Sequence, residues 1–342
     1  MLPEAALAQG HWVKLICGAS NQDLAAIEDL AGLYGLAGVH CIDAAADRAV
    51  VAAVRRGLDW ATQRGARLPW LMLSLSDGTD PHFRKAWFDP DRCPPDCRRP
   101  CERVCPALAI GVAATGQPGV LAERCYGCGR CLPACPLGLI SEQAQLLAAA
   151  EVAPLLAELS PQAIELHCQF ARLEAFAERL QQVVASGVPL RRLAISMSPA
   201  AKGPVAALAA ELWQRFAMVR AAGLQPLWQL DGRPMSGDLG PSAARAAVDL
   251  LAQLGPLAPP GPLQLAGGTN DQTWPLLQGR HLLAAAAGVA FGGEARRRLQ
   301  PWLQQAQQRH KRLLDCPDLW PQALQQAQAL VHPWLRQPVA AA

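Results

Sequence analysis

Short apolar runs alternate along this chain with longer stretches in which apolar residues recur every three or four positions, the pattern of repeated strand–helix units and a parallel sheet. Eight runs read as strands: Val13–Cys17, Val39–Asp43, Trp70–Leu75, Ile164–Cys168, Leu193–Met197, Pro226–Leu230, Leu263–Gly267 and Gly288–Phe291. Helical periodicity fills the gaps, as at Asp23–Leu36, Arg48–Arg64, Leu146–Leu159 and Leu173–Ala185. Eight such units close an α/β barrel of the (β/α)8, TIM-like type. The expected division is a first part of the barrel over 1–80, an insertion over 81–142, the rest of the barrel over 143–315 and a helical tail over 316–342.

Composition agrees with a folded globular chain: of 342 residues, 51% are apolar and 17% charged. Thirty-one basic against 28 acidic residues give a net charge of +3, and no block of five or six like charges occurs, so nucleic acid is not an implied partner. No apolar run reaches the length of a membrane span, and Met1-Leu2-Pro3-Glu4 does not open like a signal peptide. The expectation is a cytoplasmic protein without a transmembrane segment.

Twelve cysteines are many for such a compartment, and their placement carries the chemistry. Eight fall within residues 93–135, while Cys17, Cys41, Cys168 and Cys316 are scattered. The run Cys125-Tyr-Gly-Cys128-Gly-Arg-Cys131-Leu-Pro-Ala-Cys135-Pro136 has the bacterial-ferredoxin spacing, in which three thiolates hold one cubane and the fourth ligates a second. A partner run is therefore required. It is Cys93-Pro-Pro-Asp-Cys97-Arg-Arg-Pro-Cys101-Glu-Arg-Val-Cys105-Pro106, and the residues after each run repeat as well, Pro-Ala-Leu-Ala-Ile110 against Pro-Leu-Gly-Leu-Ile140.

By this logic Cys125, Cys128, Cys131 and Cys105 hold one [4Fe-4S] cluster, and Cys93, Cys97, Cys101 and Cys135 hold the other. The upstream spacing is irregular. A distorted cubane, a [3Fe-4S] cluster, partial use of the cysteines and a closed four-thiolate zinc site stay open there. A helix with one cysteine face is disfavoured by Pro94, Pro95 and Pro100. The whole is a ferredoxin-like module with two clusters, inserted after the third strand at the end of the barrel where active sites lie.

The other loops at that end carry further candidate groups. Gly267 and Gly268 follow the seventh strand, and Gly292, Gly293 and Arg296 follow the eighth, where barrels bind phosphate groups, FMN among them. The same glycines also suit tight turns and helix caps. Asp43, Ser76, Asp77, His167, Ser196, Ser198, Asp231 and Arg233 end strands without forming a triad; the Asp and Ser residues suit helix caps better than catalysis, and His167 suits a satisfied histidine better than a base. Cys17 and Cys168 suit inert packing better than a reactive pair.

The chain resembles the light-dependent period (LdpA) family of cyanobacterial iron–sulfur proteins connected with the circadian clock. The resemblance rests on Trp12-Val-Lys-Leu-Ile-Cys17-Gly-Ala-Ser20, on Cys41-Ile-Asp43-Ala-Ala-Ala-Asp47, and on the two cysteine runs, of which the odd upstream spacing beside a regular one is the distinctive part. It implies a redox sensor that reports photosynthetic electron transport to the clock and adjusts its period, with clock proteins and photosynthetic redox donors as partners. The rival expectation is a flavin-dependent reductase in which the clusters feed FMN on the barrel.

Overall fold

The computed structural model describes residues 1–18, 23–78, 83–105, 108–112, 118–122, 124–125, 129–144, 146–197, 204–232 and 241–335. Its strands, in chain order, are β1 (Trp12–Ile16), β2 (Cys41–Ala45), β3 (Trp70–Ser76), β4 (Arg84–Trp87), β5 (Ile110–Val112), β6 (Pro118–Val120), β7 (Ser141–Ala144), β8 (Ala163–Cys168), β9 (Arg192–Met197), β10 (Pro226–Asp231), β11 (Leu263–Ala266) and β12 (Gly288–Phe291). Eight of them close a parallel barrel in the order β1-β12-β11-β10-β9-β8-β3-β2. All eight lie within two residues of the expected runs.

Strand geometry sends alternate side chains to opposite faces. Val13 and Leu15 of β1, Ile164 and Leu166 of β8, and Leu265 of β11 join the main apolar core. Trp12, Cys41, Met72, Ala163, Ala194 and Leu227 form a second cluster, with Leu7 of the helix Pro3–Gln9 packed on it. Helices Leu24–Ala37 and Arg48–Thr62 approach closely because Gly57 has no side chain; a Cβ there would stand 2.2 Å from the Glu28 carbonyl oxygen. The C-terminal helix Trp320–Leu335 is fastened to the barrel, with the Trp334 carbonyl 2.8 Å from His11 Nδ1 and its ring edge-on to Trp274.

His40, just before β2, is buried under Trp12, and its Nδ1 accepts a hydrogen bond from the Val13 amide at 3.2 Å. Burial, helped by the N-terminal amine and His11, lowers its pKa to about 4. The folded chain thus resists a proton that the unfolded chain takes up near 6.5, so this contribution is complete above about pH 6.5 and is lost as pH falls toward 4. The expected loss is about 3 kcal/mol, and denaturant titrations of the parent and a His40→Leu variant across that range test it: the variant's stability should fall less.

Between β3 and β8 the chain leaves the barrel. Strand β4 pairs antiparallel with β7, placing Arg84 opposite Ala144, and β5 pairs antiparallel with β6, placing Ile110 opposite Val120. Each half of the insertion runs strand, cysteine run, one-turn helix, strand, with helices Pro100–Arg103 and Cys131–Ala134 in equivalent places. The repeat seen in the sequence is therefore a repeat in space, in which the outer strands of the two halves pair with each other and the inner strands do the same.

Candidate functional site

Proline at the first position of Pro100–Arg103 fits that turn because it has no amide hydrogen to leave unpaired. The turn buries Cys101, and Cys131, opening the second turn, is buried as well. Cys93 follows the short 3-10 turn Pro90–Arg92, Cys97 follows a turn closed onto the Pro94 carbonyl, and Cys105 and Cys135 follow their helices. Cys101, Cys125 and Cys131, with Ala86, Phe88, Ala109, Ile110 and Ile140, form an apolar core separate from that of the barrel, and Cys93, Cys105 and Cys135 pack against it. Cys128 lies outside the described residues, as do Ser198 and Arg233.

Backbone amides point at these sulfurs. The Ala86 amide donates to Cys125 Sγ at 3.3 Å, and the Ala109 amide donates to Cys105 Sγ at 3.2 Å. At Cys135 burial pushes the thiol up, but the amides of Leu139, Leu137, Ile140 and Gly138 outweigh it, and the pKa falls below the ordinary thiol value. Burial raises Cys93, reinforced by the neighbouring Cys97 and Cys135 thiols and opposed by Arg99. Burial also raises Cys101, on which Cys135 acts in the same sense. Cys93, Cys105 and Cys135 all lie against the same small core.

This donor set fits iron–sulfur ligation: soft thiols, amide donors toward sulfur, and an apolar shell. Among the described residues no group of three or more His, Cys, Asp or Glu is arranged to hold a single metal ion.

The barrel holds a second polar assembly. Lys14 Nζ donates to Asp43 Oδ2 at 2.8 Å and to Glu165, which lies across the barrel on β8. Gln229 Nε2 donates to Glu165 Oε1 at 2.7 Å, Gln264 to Gln229 Oε1 at 2.6 Å, Trp12 Nε1 to Gln264 at 2.5 Å, and Ser74 Oγ to Asp43 Oδ1 at 2.6 Å. His167 Nε2 lies 3.0 Å from Glu165 Oε1. Burial alone would discharge these groups. Lys14 nevertheless stays above the ordinary ammonium value because Asp43 and Glu165 face it. Of the two carboxylates, Glu165 is drawn down against its burial by Lys14 and His167, while burial and Glu165 push Asp43 up against Lys14.

Sequence reasoning placed Asp43 and Asp231 as helix caps, but both turn into the barrel, where Asp231 accepts hydrogen bonds from Gln229 and Ser196. Lys14, Glu165, Gln229 and Gln264 were not singled out at all. The signal was available, since each is a polar residue flanked by apolar ones within a strand. Asp77 receives the Gln169 amide at 3.2 Å. Cys17 is raised by burial to about 12, and Cys168 also rises, again chiefly through burial, so both are protonated packing residues.

The glycine loops do structural work. Gly267 and Gly268 have φ values of 64° and 94°, and a Cβ on Gly268 would stand 2.8 Å from the Ala243 carbonyl oxygen. Gly293 begins the helix Gly293–Gln308, preceded by Gly292, and Arg296 Nη2 donates to the Cys17 carbonyl at 2.7 Å.

Two family models match the chain: the light dependent period A C-terminal domain over residues 155–333, and the LdpA Fe-S cluster-binding domain over residues 93–146. A curated relative from Synechococcus elongatus, "Light dependent period A", is 46% identical over 346 residues, covering 99% of this chain and 95% of its own length. Among solved structures, the carboxyl transferase domain of Rhizobium etli pyruvate carboxylase aligns with a TM-score of 0.45 at 9% identity, over 96% of this chain and 50% of that one. A variant of the same domain with pyruvate aligns with the same score at 10% identity.

Proposed function

Because this chain belongs to the light dependent period A family and carries its iron–sulfur cluster-binding domain, we propose that it senses redox state on the inserted module and passes that state to circadian clock proteins, changing the clock period with light. The observation that carries this reading is the folding of both cysteine runs around one small core of their own, with amides aimed at their sulfurs. The relative's name supports the link to light and period. Partners on the input side are redox donors of photosynthetic electron transport, and the compartment is the cytoplasm; no helix among the described residues is long and apolar enough to cross a membrane.

In this reading Cys105, Cys125, Cys128 and Cys131 hold one [4Fe-4S] cluster, and Cys93, Cys97, Cys101 and Cys135 hold the second. A bound cluster supplies one-electron chemistry and a unit change of charge. The Ala86 and Ala109 amides offset negative charge on Cys125 and Cys105. Each set mixes buried and half-buried thiols: Cys101 is buried beside half-buried Cys93, Cys97 and Cys135, and Cys125 and Cys131 are buried beside half-buried Cys105. The segments 1–80, 81–142, 143–315 and 316–342 divide these roles between barrel, module and tail.

Phe83, entering the module, stands edge-on to His167 with ring centroids 5.4 Å apart. Anaerobic purification with iron, acid-labile sulfide and flavin measured on one sample tests the proposal. About eight irons and eight sulfides without flavin are expected. Stoichiometric FMN would replace this reading with a reductase, and zinc without sulfide would end both.

A further inference from the structure

Between the module and the barrel mouth lies a cavity of about 330 Å³. Its apolar wall comes from Phe83, Leu75, Leu146 and Leu147. Two cations also line it. Lys85 is 3% exposed, and its ammonium donates to the Ala122 carbonyl. Arg179, half-buried, donates Nε to the Ser76 carbonyl at 2.9 Å and Nη1 to Gln182 at 2.7 Å, and among the described residues its Nη2 has no acceptor. Burial holds Arg179 below the ordinary guanidinium value, although Asp77 and Glu178 pull the other way.

The two carboxylates on the rim are engaged. Asp47 caps the helix Arg48–Thr62 through the Ala49 and Val50 amides, and Glu151 accepts the Ala148 amide at 3.3 Å. The lining hydroxyls are engaged too, Ser74 with Asp43 and Ser76 with the Gly78 carbonyl. The chamber is thus apolar on one side, with the Arg179 Nη2 donor turned to it, at the end of the barrel where loops bind ligands.

We propose that this cavity binds a small organic anion, its charged head at Arg179 and its apolar body against Phe83, Leu146 and Leu147. The site also reaches the cysteines. Lys85 braces the Leu121–Cys125 turn through Ala122, and the next residue, Ala86, donates its amide to Cys125 Sγ. A bound anion places negative charge beside that sulfur, so its cluster becomes harder to reduce. This second step rests on the redox reading above; the binding step does not.

Calorimetry on the purified full chain tests binding, using benzoate and phenyl phosphate as probes and neutral benzamide as control. Saturable binding of an anion but not of benzamide is expected, and the preferred probe shows whether the head is a carboxylate or a phosphate. Arg179→Gln should weaken it by about tenfold or more, the loss of one buried charge partner. Leu146→Trp, which fills the chamber and leaves both cations in place, should abolish it. Equal binding of benzamide, or no binding of either anion, overturns the site. In the cluster-loaded protein a saturating anion should move a midpoint potential to more negative values in the parent and not in Arg179→Gln. Binding without that movement overturns the coupling alone.

Discussion

Replacing Cys135 with alanine is expected to remove about half of the iron and sulfide, and replacing Cys105 to remove the other half. Each of these cysteines follows one run but serves the cluster of the other, because the fourth position lies too far along to close its own cube. Paired variants separate this arrangement from one in which each run is self-contained. Cys101→Ala added to Cys135→Ala strikes the same cluster twice, so about half of the iron should stay; Cys125→Ala added to Cys135→Ala strikes both clusters and should leave almost none. A self-contained upstream run would give the reverse.

The second large effect is expected at Lys14. Methionine there keeps the volume and removes the cation that Asp43 and Glu165 share. Two buried carboxylates are left facing each other, and breaking such a buried pair costs about 3–5 kcal/mol. For a chain of this size the melting temperature should fall by roughly 4–7 °C. The sign of the pH dependence is a separate check. In the variant, burial and mutual repulsion raise both carboxylates, so the folded form keeps protons that the unfolded chain has released near pH 4. Stability is then greatest at acid pH and falls as pH rises through the raised values. Adding Glu165→Gln to Lys14→Met removes one of the stranded charges and should recover part of the loss. A variant as stable as the parent at neutral pH would show that the network does not hold the barrel centre.

The barrel could be read from the chain because its strands are apolar runs of the right length at regular intervals. Even Leu173–Ala185 emerges with the expected bounds. What escaped was the barrel interior. A lysine or glutamate within a strand looks solvent-facing when strands are read one at a time, and only closure brings Lys14 of β1 to Glu165 of β8. The four strands of the module escaped for a different reason. They are three or four residues long and lie among prolines, glycines and cysteines, too short for an alternating pattern to declare itself. At the cysteines the spacing proposed ligand sets, but the amides that face the sulfurs belong to the chain path around them, which spacing does not describe.

The pairing of Arg84 with Ala144 has a consequence for how such a chain is put together. The polypeptide enters and leaves the module through adjacent, antiparallel backbones. Its two ends are already side by side, so joining them to a barrel loop costs little more entropy than a short connection would. The barrel and the module can then be regarded as a socket and a plug. Exchange of the whole plug, by recombination or by design, leaves the register of β3 against β8 untouched, and the barrel accepts or loses a redox function without being rebuilt.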